Sequence, residues 1–338
     1  MFIQLLEKYL NGACFSKTDL LLGLISKRWP YRRNAGKILA SVPPPAQGVT
    51  GNGRQHISVE PYRGRNRYVT MMREYLEQEL DGQLFEAVVH GSLATGEEIG
   101  YSDFDALVVL KDAVFEDKER LAEVAYKLGE ARKIMLTMDP LQHHGWFVLT
   151  ESMLKDFPVL YFPPVLFEYS RSILHDEVFE FDIGARQPED FKKPFDRLVQ
   201  SLLLKLQRKD LVLNAYALKN LLSEFMLLPA FYVQARDGKG IFKGQSFEAV
   251  RTDLKEEEWE GMSRISGIRA GWKYEVKGVA KHFYTNTNPF VRTLMKKYAF
   301  KLAPGTGLSG DDQRSMRSFV KLLAQRMHPR TSDSHPVQ

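Results

Sequence analysis

The chain of 338 residues contains a single cysteine, Cys14, so no internal disulfide can form. It also contains no apolar run near the roughly 20 residues that a membrane-spanning helix requires. Residues 1–17 lack the basic start and the small-residue cleavage site of a secretory signal peptide. These absences argue against a disulfide-rich secreted protein and against a membrane protein. We therefore expect a cytoplasmic protein with no membrane partner.

The composition is sufficient for two hydrophobic cores. Hydrophobic residues make up 44% of the chain, and its length exceeds that of a typical single domain. The net charge of +5 is unevenly distributed, because residues 1–70 carry eleven basic residues and three acidic ones. The net charge is thus +8 in this segment and −3 in the rest of the chain. The N-terminal segment is predicted to present a basic surface.

The strongest functional signal begins at residue 84. Residues 84–90, LFEAVVH, form a short apolar run that ends at Gly91 and Ser92, which is typical of a buried strand followed by a tight turn. Small residues allow backbone amides to approach a ligand closely. If residues 93–95 open a helix, these amides lie at its positive end and can hold a triphosphate without a basic side chain.

A second strand is predicted to begin at Asp103. The period of two in a strand places Asp103 and Asp105 on one face and Phe104 and Ala106 on the other. Two carboxylates on one face suit Mg²⁺, which prefers carboxylates together with substrate phosphates. The apolar residues 106–110 would hold this strand in a core.

This stretch resembles the signature of the DNA polymerase beta-like nucleotidyltransferase superfamily: Gly-Ser, a spacer, and Asp-x-Asp between apolar residues. Here residues 93–102 form the spacer. The resemblance implies that two Mg²⁺ ions bind Asp103 and Asp105, while Gly91 and Ser92 hold the departing phosphates. An acceptor hydroxyl would attack the α-phosphorus and release pyrophosphate. The alternative is that the two carboxylates are solvated residues at the start of a strand.

The third metal ligand is left open by the sequence. The family pattern has a third carboxylate on a neighbouring strand, but the apolar residues 134–149 contain no embedded acid and offer Asp139, His143 and His144. In a strand, Asp139 and His143 share one face and His144 lies on the other, so they are alternatives. Asp139 is one candidate metal ligand. His144 could replace it or act as a general base.

Two further interpretations of this segment, in which it does not supply a third metal ligand, stay open. In one, catalysis has been weakened or lost with the third carboxylate. In the other, His143 and His144 are hydrogen-bonded polar residues near a cleft.

The predicted fold class is α+β, with a small mixed nucleotidyltransferase sheet and flanking helices, followed by a helical domain. The expected elements of the sheet domain are a helix at 66–81, strands at 84–90 and 103–110, a helix at 117–133 and a strand within 134–150. The expected divisions are a basic helical segment with a loop at 1–50, a catalytic domain at 51–185, a helical substrate-binding domain at 186–330 and a disordered tail at 331–338.

Two lysines of the helical part are candidate phosphate ligands. Lys219 resembles a helix lysine that some superfamily members direct at the phosphates; the alternative is an exposed lysine on a polar face. Lys243 lies in the glycine-rich, basic residues 236–248, which predict a mobile lid near the triphosphate. An ordinary turn between helices is the alternative.

We therefore expect an Mg²⁺-dependent nucleotidyltransferase that moves a nucleoside monophosphate from a triphosphate such as ATP to a hydroxyl. A small molecule or a protein is the first candidate acceptor. An RNA end, a tRNA end or a cyclic oligonucleotide product is the second, because residues 1–70 interleave basic and aromatic residues that could contact RNA. The basic residues could instead surround the triphosphate or only favour solubility. A third hypothesis is a nucleotide-binding sensor that has lost catalysis, which predicts triphosphate binding without pyrophosphate release.

Overall fold

The computed structural model of the protein describes most of the chain. The described residues are 2–12, 14–44, 53–184, 191–207, 214–274, 276, 283–301 and 307–328. The sequence also predicts a loop at 41–53; most of this loop and the whole predicted tail at 331–338 lie outside the described residues.

The chain divides into two compact units. The first comprises Met1–Pro158, Leu166–Arg186 and Lys273–Lys301, and the second comprises Val159–Val165, Gln187–Trp272 and Leu302–Gln338. Both units are discontinuous in sequence, because the chain leaves the first unit and later returns to it.

Up to residue 184 the chain contains both helices and short strands. In chain order they are α1 (Phe2–Leu10), α2 (Lys17–Ile25), α3 (Trp29–Leu39), β1 (Arg54–Val59), α4 (Arg67–Leu80), β2 (Leu84–Val89), α5 (Ser92–Thr95), β3 (Ala106–Leu110), α6 (Lys118–Met138), β4 (Trp146–Thr150), α7 (Glu151–Lys155), β5 (Arg171–Ser172) and β6 (Phe179–Gly184). Short 3₁₀ turns lie at Asp112–Phe115 and Pro164–Tyr169.

The remaining described elements are helical. They are α8 (Lys192–Leu206), α9 (Ala215–Phe225), α10 (Leu228–Asp237), α11 (Lys243–Arg251), α12 (Glu260–Ala270), α13 (Pro289–Leu294) and α14 (Gly310–Met327). Helix α13 belongs to the first unit and the others belong to the second. No helix among the described residues is long and apolar enough to cross a membrane.

The main sheet has four strands in the order β4-β3-β2-β5. Strand β3 runs antiparallel to β2 and parallel to β4, and β5 runs antiparallel to β2. Strands β1 and β6 form a separate antiparallel pair. This small mixed sheet with flanking helices confirms the predicted α+β fold class.

Strand β3 shows how the sheet faces its helices. All five of its residues are buried, and Phe104, Ala106 and Val108 alternate into the same hydrophobic core as helices α4 and α6. Leu107 and Val109 are also buried, on the opposite face. Phe104 and Ala106 therefore share a face, as the sequence predicts. Regular pairing begins at Ala106 rather than at Asp103.

Helix α6 is longer than the sequence predicts. It begins after the N-cap Asp117 and runs to Met138, so residues 134–138 are helical and not part of a strand. The reason is that Met135 and Leu136 continue the buried side of the helix that includes Leu128. The strand expected within 134–150 is confined to β4.

The N-terminal helices share a core with the sheet. Leu6, Tyr9, Leu10 and Tyr31 lie in the same hydrophobic cluster as the sheet residues, and the Tyr9 hydroxyl donates to the Tyr31 carbonyl at 2.8 Å. The apolar side of α1 is buried there, so α1 and α3 belong to the same core as the sheet.

The second unit is a helical bundle with its own core. Large apolar side chains from α8, α9 and α14 fill it, including Phe195, Phe225 and Phe319, which are buried. The Phe225 and Phe319 rings lie 5.7 Å apart. The helices of this unit lie within residues 192–327, but α13 and its neighbours at 283–301 belong to the first unit.

Candidate functional site

The turn after β2 requires a glycine. Gly91 has φ +65° and ψ −149°, a conformation that other residues rarely adopt. A Cβ atom at this position would also lie 3.0 Å from Oδ2 of Asp105. The carboxylate of Asp105 therefore lies directly against the turn.

Hydrogen bonds fix this turn to the segment before β3. The Ser92 hydroxyl donates to the Ser102 hydroxyl at 2.9 Å, and the His90 amide donates to the Asp105 carbonyl at 3.0 Å. Helix α5 is a single turn that ends at Gly96 with φ +73°. The backbone between the two motifs is thus held at both ends.

Asp103 lies beside two histidines. Its Oδ2 is 3.3 Å from Nδ1 of His143, and both side chains are at most 10% exposed. The rings of His143 and His144 lie 3.8 Å apart. One ligand atom from each of Asp103, His143 and His144 lies within 4.8 Å of the other two. Among the described residues, these three could hold one metal ion.

The parallel pairing of β3 with β4 accounts for this arrangement. Ala106 is paired with Trp146, so three residues earlier in each segment Asp103 faces His143. Gln142 joins the two segments, since its side chain accepts from the Phe104 amide at 2.8 Å and donates to the Phe104 carbonyl at 2.9 Å.

The strand alternation predicted for these histidines is wrong. Residues 139–145 form a turn and an irregular segment rather than a strand. His143 and His144 therefore both lie near Asp103 instead of facing opposite ways.

Comparison with known families bears on this same region. Residues 69–142 match the family model described as "Nucleotidyltransferase domain". These residues are therefore similar to a nucleotidyltransferase domain. This match is consistent with the DNA polymerase beta-like superfamily, as the sequence predicts. No curated protein and no solved structure gave a match.

Asp139 lies outside the cluster of Asp103 and the two histidines. It ends helix α6, and its Oδ1 accepts from the Leu141 amide at 3.1 Å. All five residues of β4 are described and none is acidic, and His143 and His144 lie just before this strand.

The two lysine candidates belong to the second unit. Lys219 on α9 is fully buried, so it is not an exposed residue on a polar face. Lys243 is half-buried and begins α11. Helix α10 ends at Asp237 and Gly238 adopts φ +67°, which leaves a short turn between two helices where the sequence predicted a mobile lid.

A cavity of about 870 Å³ opens beside α5 of the nucleotidyltransferase domain. Leu93, Ala94 and Thr95 form one side of it. Its other charged lining residues are three arginines and four acids: Arg63, Arg65, Arg171, Glu60, Glu98, Asp176 and Glu177. Its size is that of a small-molecule site.

A buried carboxyl in β2 escaped the sequence analysis because it lies inside an apolar run. Glu86 is 1% exposed, and its Oε1 accepts from the Ala87 amide at 2.7 Å and the Ser172 hydroxyl at 2.9 Å. Nε2 of His175 lies 3.9 Å from its Oε2. Burial raises the pKa of Glu86 to about 7, partly opposed by the two hydrogen bonds.

Three of the eleven basic residues in the N-terminal sequence face acidic residues of α6. We call this region the paired basic face. It consists of the ion pairs Lys27–Glu130 at 3.0 Å, Arg28–Glu123 at 2.9 Å and Arg32–Glu119 at 3.5 Å. These cations lie against carboxylates of the same unit, which weakens the case for an RNA-binding arm there.

Proposed function

We propose that this protein transfers a nucleoside monophosphate from a nucleoside triphosphate to a hydroxyl group and releases pyrophosphate. One observation carries the proposal. Asp103 lies with His143 and His144 within 4.8 Å, just before the strand that also places Asp105 against the Gly91 turn. The match to the nucleotidyltransferase domain supports the general reaction. The identities of the cation, the acceptor and the nucleotide go beyond this match and belong to the proposal.

The donor atoms suit a divalent cation. Asp103 and Asp105 offer carboxylate oxygens, and His143 offers an imidazole nitrogen beside Asp103. The superfamily resemblance implies two Mg²⁺ ions, but imidazole is a better ligand for Mn²⁺ and later transition metals than for Mg²⁺. When bound, such an ion lowers the pKa of the acceptor hydroxyl and offsets charge on the phosphates. We expect Mn²⁺ to activate at lower concentrations than Mg²⁺.

The protein groups have separate roles in this proposal. The amides around Gly91 and Ser92 hold the triphosphate at the start of α5. His144 accepts the proton of the attacking hydroxyl. The acceptor oxygen forms a bond to the α-phosphorus, the bond from that phosphorus to the β-phosphate oxygen breaks, and pyrophosphate leaves with the electron pair.

The first test measures pyrophosphate release from ATP, GTP, CTP and UTP with Mg²⁺ or Mn²⁺, with and without total tRNA. We expect Asp103→Ala to lower turnover by at least about 100-fold, because it removes a charged metal ligand. Its thermal unfolding should match the wild type. Asp81→Ala, at an exposed acid after α4, is the matched control and should retain activity.

Two outcomes would contradict this proposal. Unchanged turnover in Asp103→Ala would remove Asp103 from the site. Triphosphate binding without pyrophosphate release, for all four nucleotides and all acceptors tried, would favour the sensor hypothesis. Release that requires tRNA would instead assign an RNA acceptor.

A second test separates the two histidines. His143→Ala should raise the metal concentration needed for half-maximal activity, because His143 contacts Asp103 directly. His144→Ala should lower kcat and leave that metal concentration unchanged. Equal shifts of the metal requirement in both variants would make both histidines ligands and contradict a base role for His144.

A further inference from the structure

A second cavity, of about 830 Å³, lies in the first unit; we call it the basic cleft. Its walls come from α1, the segment between α1 and α2, Arg132 on α6, the loop at 143–145, and α13 with the turn that follows it. These segments are distant in sequence and are joined by direct contacts. Asn288, for example, donates to the Gly23 carbonyl at 2.8 Å.

The charge of the basic cleft is strongly one-sided. Five of the described residues that line it are basic: Lys8, Lys17, Arg132, Arg292 and Lys296. Glu7 is the one acid among those described lining residues. The cavity beside α5 differs, because there arginines and acids are mixed.

Three cations of the basic cleft are wholly or partly buried: Arg292 is buried, and Arg132 and Lys296 are half-buried. Arg292 is 4% exposed, and its guanidinium donates to the Tyr284 carbonyl at 2.9 Å. Arg132 donates to the Asn11 carbonyl. These carbonyl oxygens orient the two guanidinium groups.

The pKa of Lys296 is lowered by this environment. Burial, followed by the positive charges of Arg292 and Arg132, lowers the pKa of Lys296 to about 8. Cations that lie close together in a partly desolvated site attract an anion more strongly than the same cations in open solvent. The basic cleft therefore has the properties of an anion-binding site.

The basic cleft adjoins the candidate catalytic residues. His143, His144 and Gly145 form part of its lining, and His143 contacts Asp103. The cavity beside α5 is lined by Leu93–Thr95 instead, and no described residue lines both cavities. One cavity is thus lined by the residues that follow Gly91 and Ser92, and the other by the histidines beside Asp103.

We infer that the basic cleft binds the phosphate of a small phosphate-monoester acceptor and presents the hydroxyl of that acceptor to the Asp103–His143–His144 cluster. This inference rests on the proposed function and names its acceptor class. The acceptor hydroxyl oxygen joins the α-phosphorus of the triphosphate, its proton passes to His144, and pyrophosphate leaves. The phosphate of the acceptor stays intact. The product of the reaction is a phosphodiester that joins the nucleoside to the acceptor and still carries the acceptor's own phosphate.

The size of the basic cleft favours a small acceptor over RNA. A cavity of about 830 Å³ falls in the range of small-molecule sites, about 300–1,000 Å³. The paired basic face, which could have extended a binding track for RNA, is occupied by ion pairs with α6. A phosphate monoester carries close to two negative charges at neutral pH, which matches the group of cations that lines the cleft.

The binding test requires no turnover. Ribose 5-phosphate and ribose are titrated calorimetrically into the full chain without nucleotide. We expect ribose 5-phosphate to bind at least about tenfold more tightly than ribose. Lys296→Met should weaken that binding about tenfold, because it removes one charge from the basic cleft. Lys37→Met, at an exposed position on α3 outside the cleft, is the matched control and should bind like the wild type.

Lys17→Ala provides a second variant at an exposed position, where folding is not at risk. We expect it to weaken ribose 5-phosphate binding about threefold. Equal affinities in wild type, Lys296→Met and Lys17→Ala would overturn the inference. A parallel loss of ATP affinity in these variants would also overturn it, because the cleft would then hold the triphosphate.

The activity test separates this inference from the proposed function. Pyrophosphate release is measured with paired acceptors, ribose with ribose 5-phosphate and glycerol with glycerol 3-phosphate, and with a short RNA. Faster release with the phosphorylated partners, and a raised KM for them in Lys296→Met, would support the cleft. Equal release with the neutral partners or RNA would overturn the cleft and keep nucleotidyl transfer. No release, with cleft-dependent binding of ribose 5-phosphate, would contradict the transfer and keep the anion site.

Discussion

The paired basic face and the basic cleft draw cations from the same N-terminal sequence, yet they differ in what lies opposite. At the paired basic face, Lys27, Arg28 and Arg32 lie against glutamates of α6. In the cleft, Lys8 and Lys17 lie on the same cavity as basic residues of distant segments. The difference shows that the +8 charge of residues 1–70 does not by itself locate a ligand site. The residues that the fold brings opposite each cation decide whether its charge is neutralised internally.

Both surfaces depend on the packing of the N-terminal helices, so a core change should disturb both. Leu10 on α1 is fully buried, and we expect Leu10→Ala to lower the free energy of unfolding by about 2–5 kcal/mol. Chemical denaturation measures this change. Leu21→Ala, at a residue that is 62% exposed, should change it by less than about 0.5 kcal/mol. Equal effects would mean that α1 is not part of the common core.

The surroundings of a charged group also determine the behaviour of the buried acid Glu86. Because its pKa is raised from 4.5 to about 7, the folded chain holds a proton that the unfolded chain releases between these pH values. The stabilisation is complete below pH 4.5 and is lost as pH rises through about 7. At 1.4 kcal/mol per pKa unit, the loss is about 3 kcal/mol.

Glu86→Gln should remove that loss, because the amide oxygen can still accept from Ala87 and Ser172. We expect the variant to be more stable than the wild type by about 2–3 kcal/mol at pH 8 and similar to it near pH 5. Urea denaturation across pH 5–8 measures the difference. Glu74→Gln, at an exposed residue on α4, is the control. A pH-independent difference would contradict a buried neutral Glu86.

An added acid should make the basic cleft behave like the paired basic face. Thr293 lines the cleft and its side chain is exposed. Thr293→Glu should weaken ribose 5-phosphate binding at least about tenfold, corresponding to about 1.4 kcal/mol, because the carboxylate pairs with the cleft cations. Thr293→Gln controls for size and should bind within about twofold of the wild type. Similar losses in both variants would indicate a steric effect.

The smallest expected effect concerns the paired basic face. Both members of the Arg28–Glu123 pair are largely exposed, so Glu123→Gln should cost about 0.2–1 kcal/mol of stability. The unpaired arginine should then increase salt-sensitive binding to single-stranded RNA by a few-fold. Binding titrations at 50 and 200 mM salt measure this increase. Unchanged RNA binding would mean that the pairs do not mask this face.

Local patterns predicted the elements that carry the motif. The observed β2 and α4 lie within a residue or so of their expected bounds, because Val69, Met72, Leu76 and Leu80 recur at helical spacing. The tight turn at Gly91 could be predicted because a small residue directly follows an apolar run in the sequence. The second unit is likewise helical where apolar residues recur from residue 191.

The histidine arrangement could not be predicted in the same way. It depends on which residue of β4 pairs with Ala106, and residues 134–138 continue a helix where an extended segment was expected. The basic cleft was invisible for a related reason. Arg132, Arg292 and Lys296 meet only through tertiary packing, and no window of the sequence contains them together. Glu86 was hidden by its apolar neighbours.

The contact between Asn288 and Gly23 joins residues 265 positions apart. During synthesis, α1 and α2 leave the ribosome early, but α13 follows only after residues 187–272 of the second unit have been made. The basic cleft is therefore the last part of the first unit that can be completed. An anion that binds there needs the lining residues from Thr287 to Lys296, so it stabilises only chains that include them and leaves shorter nascent chains unaffected.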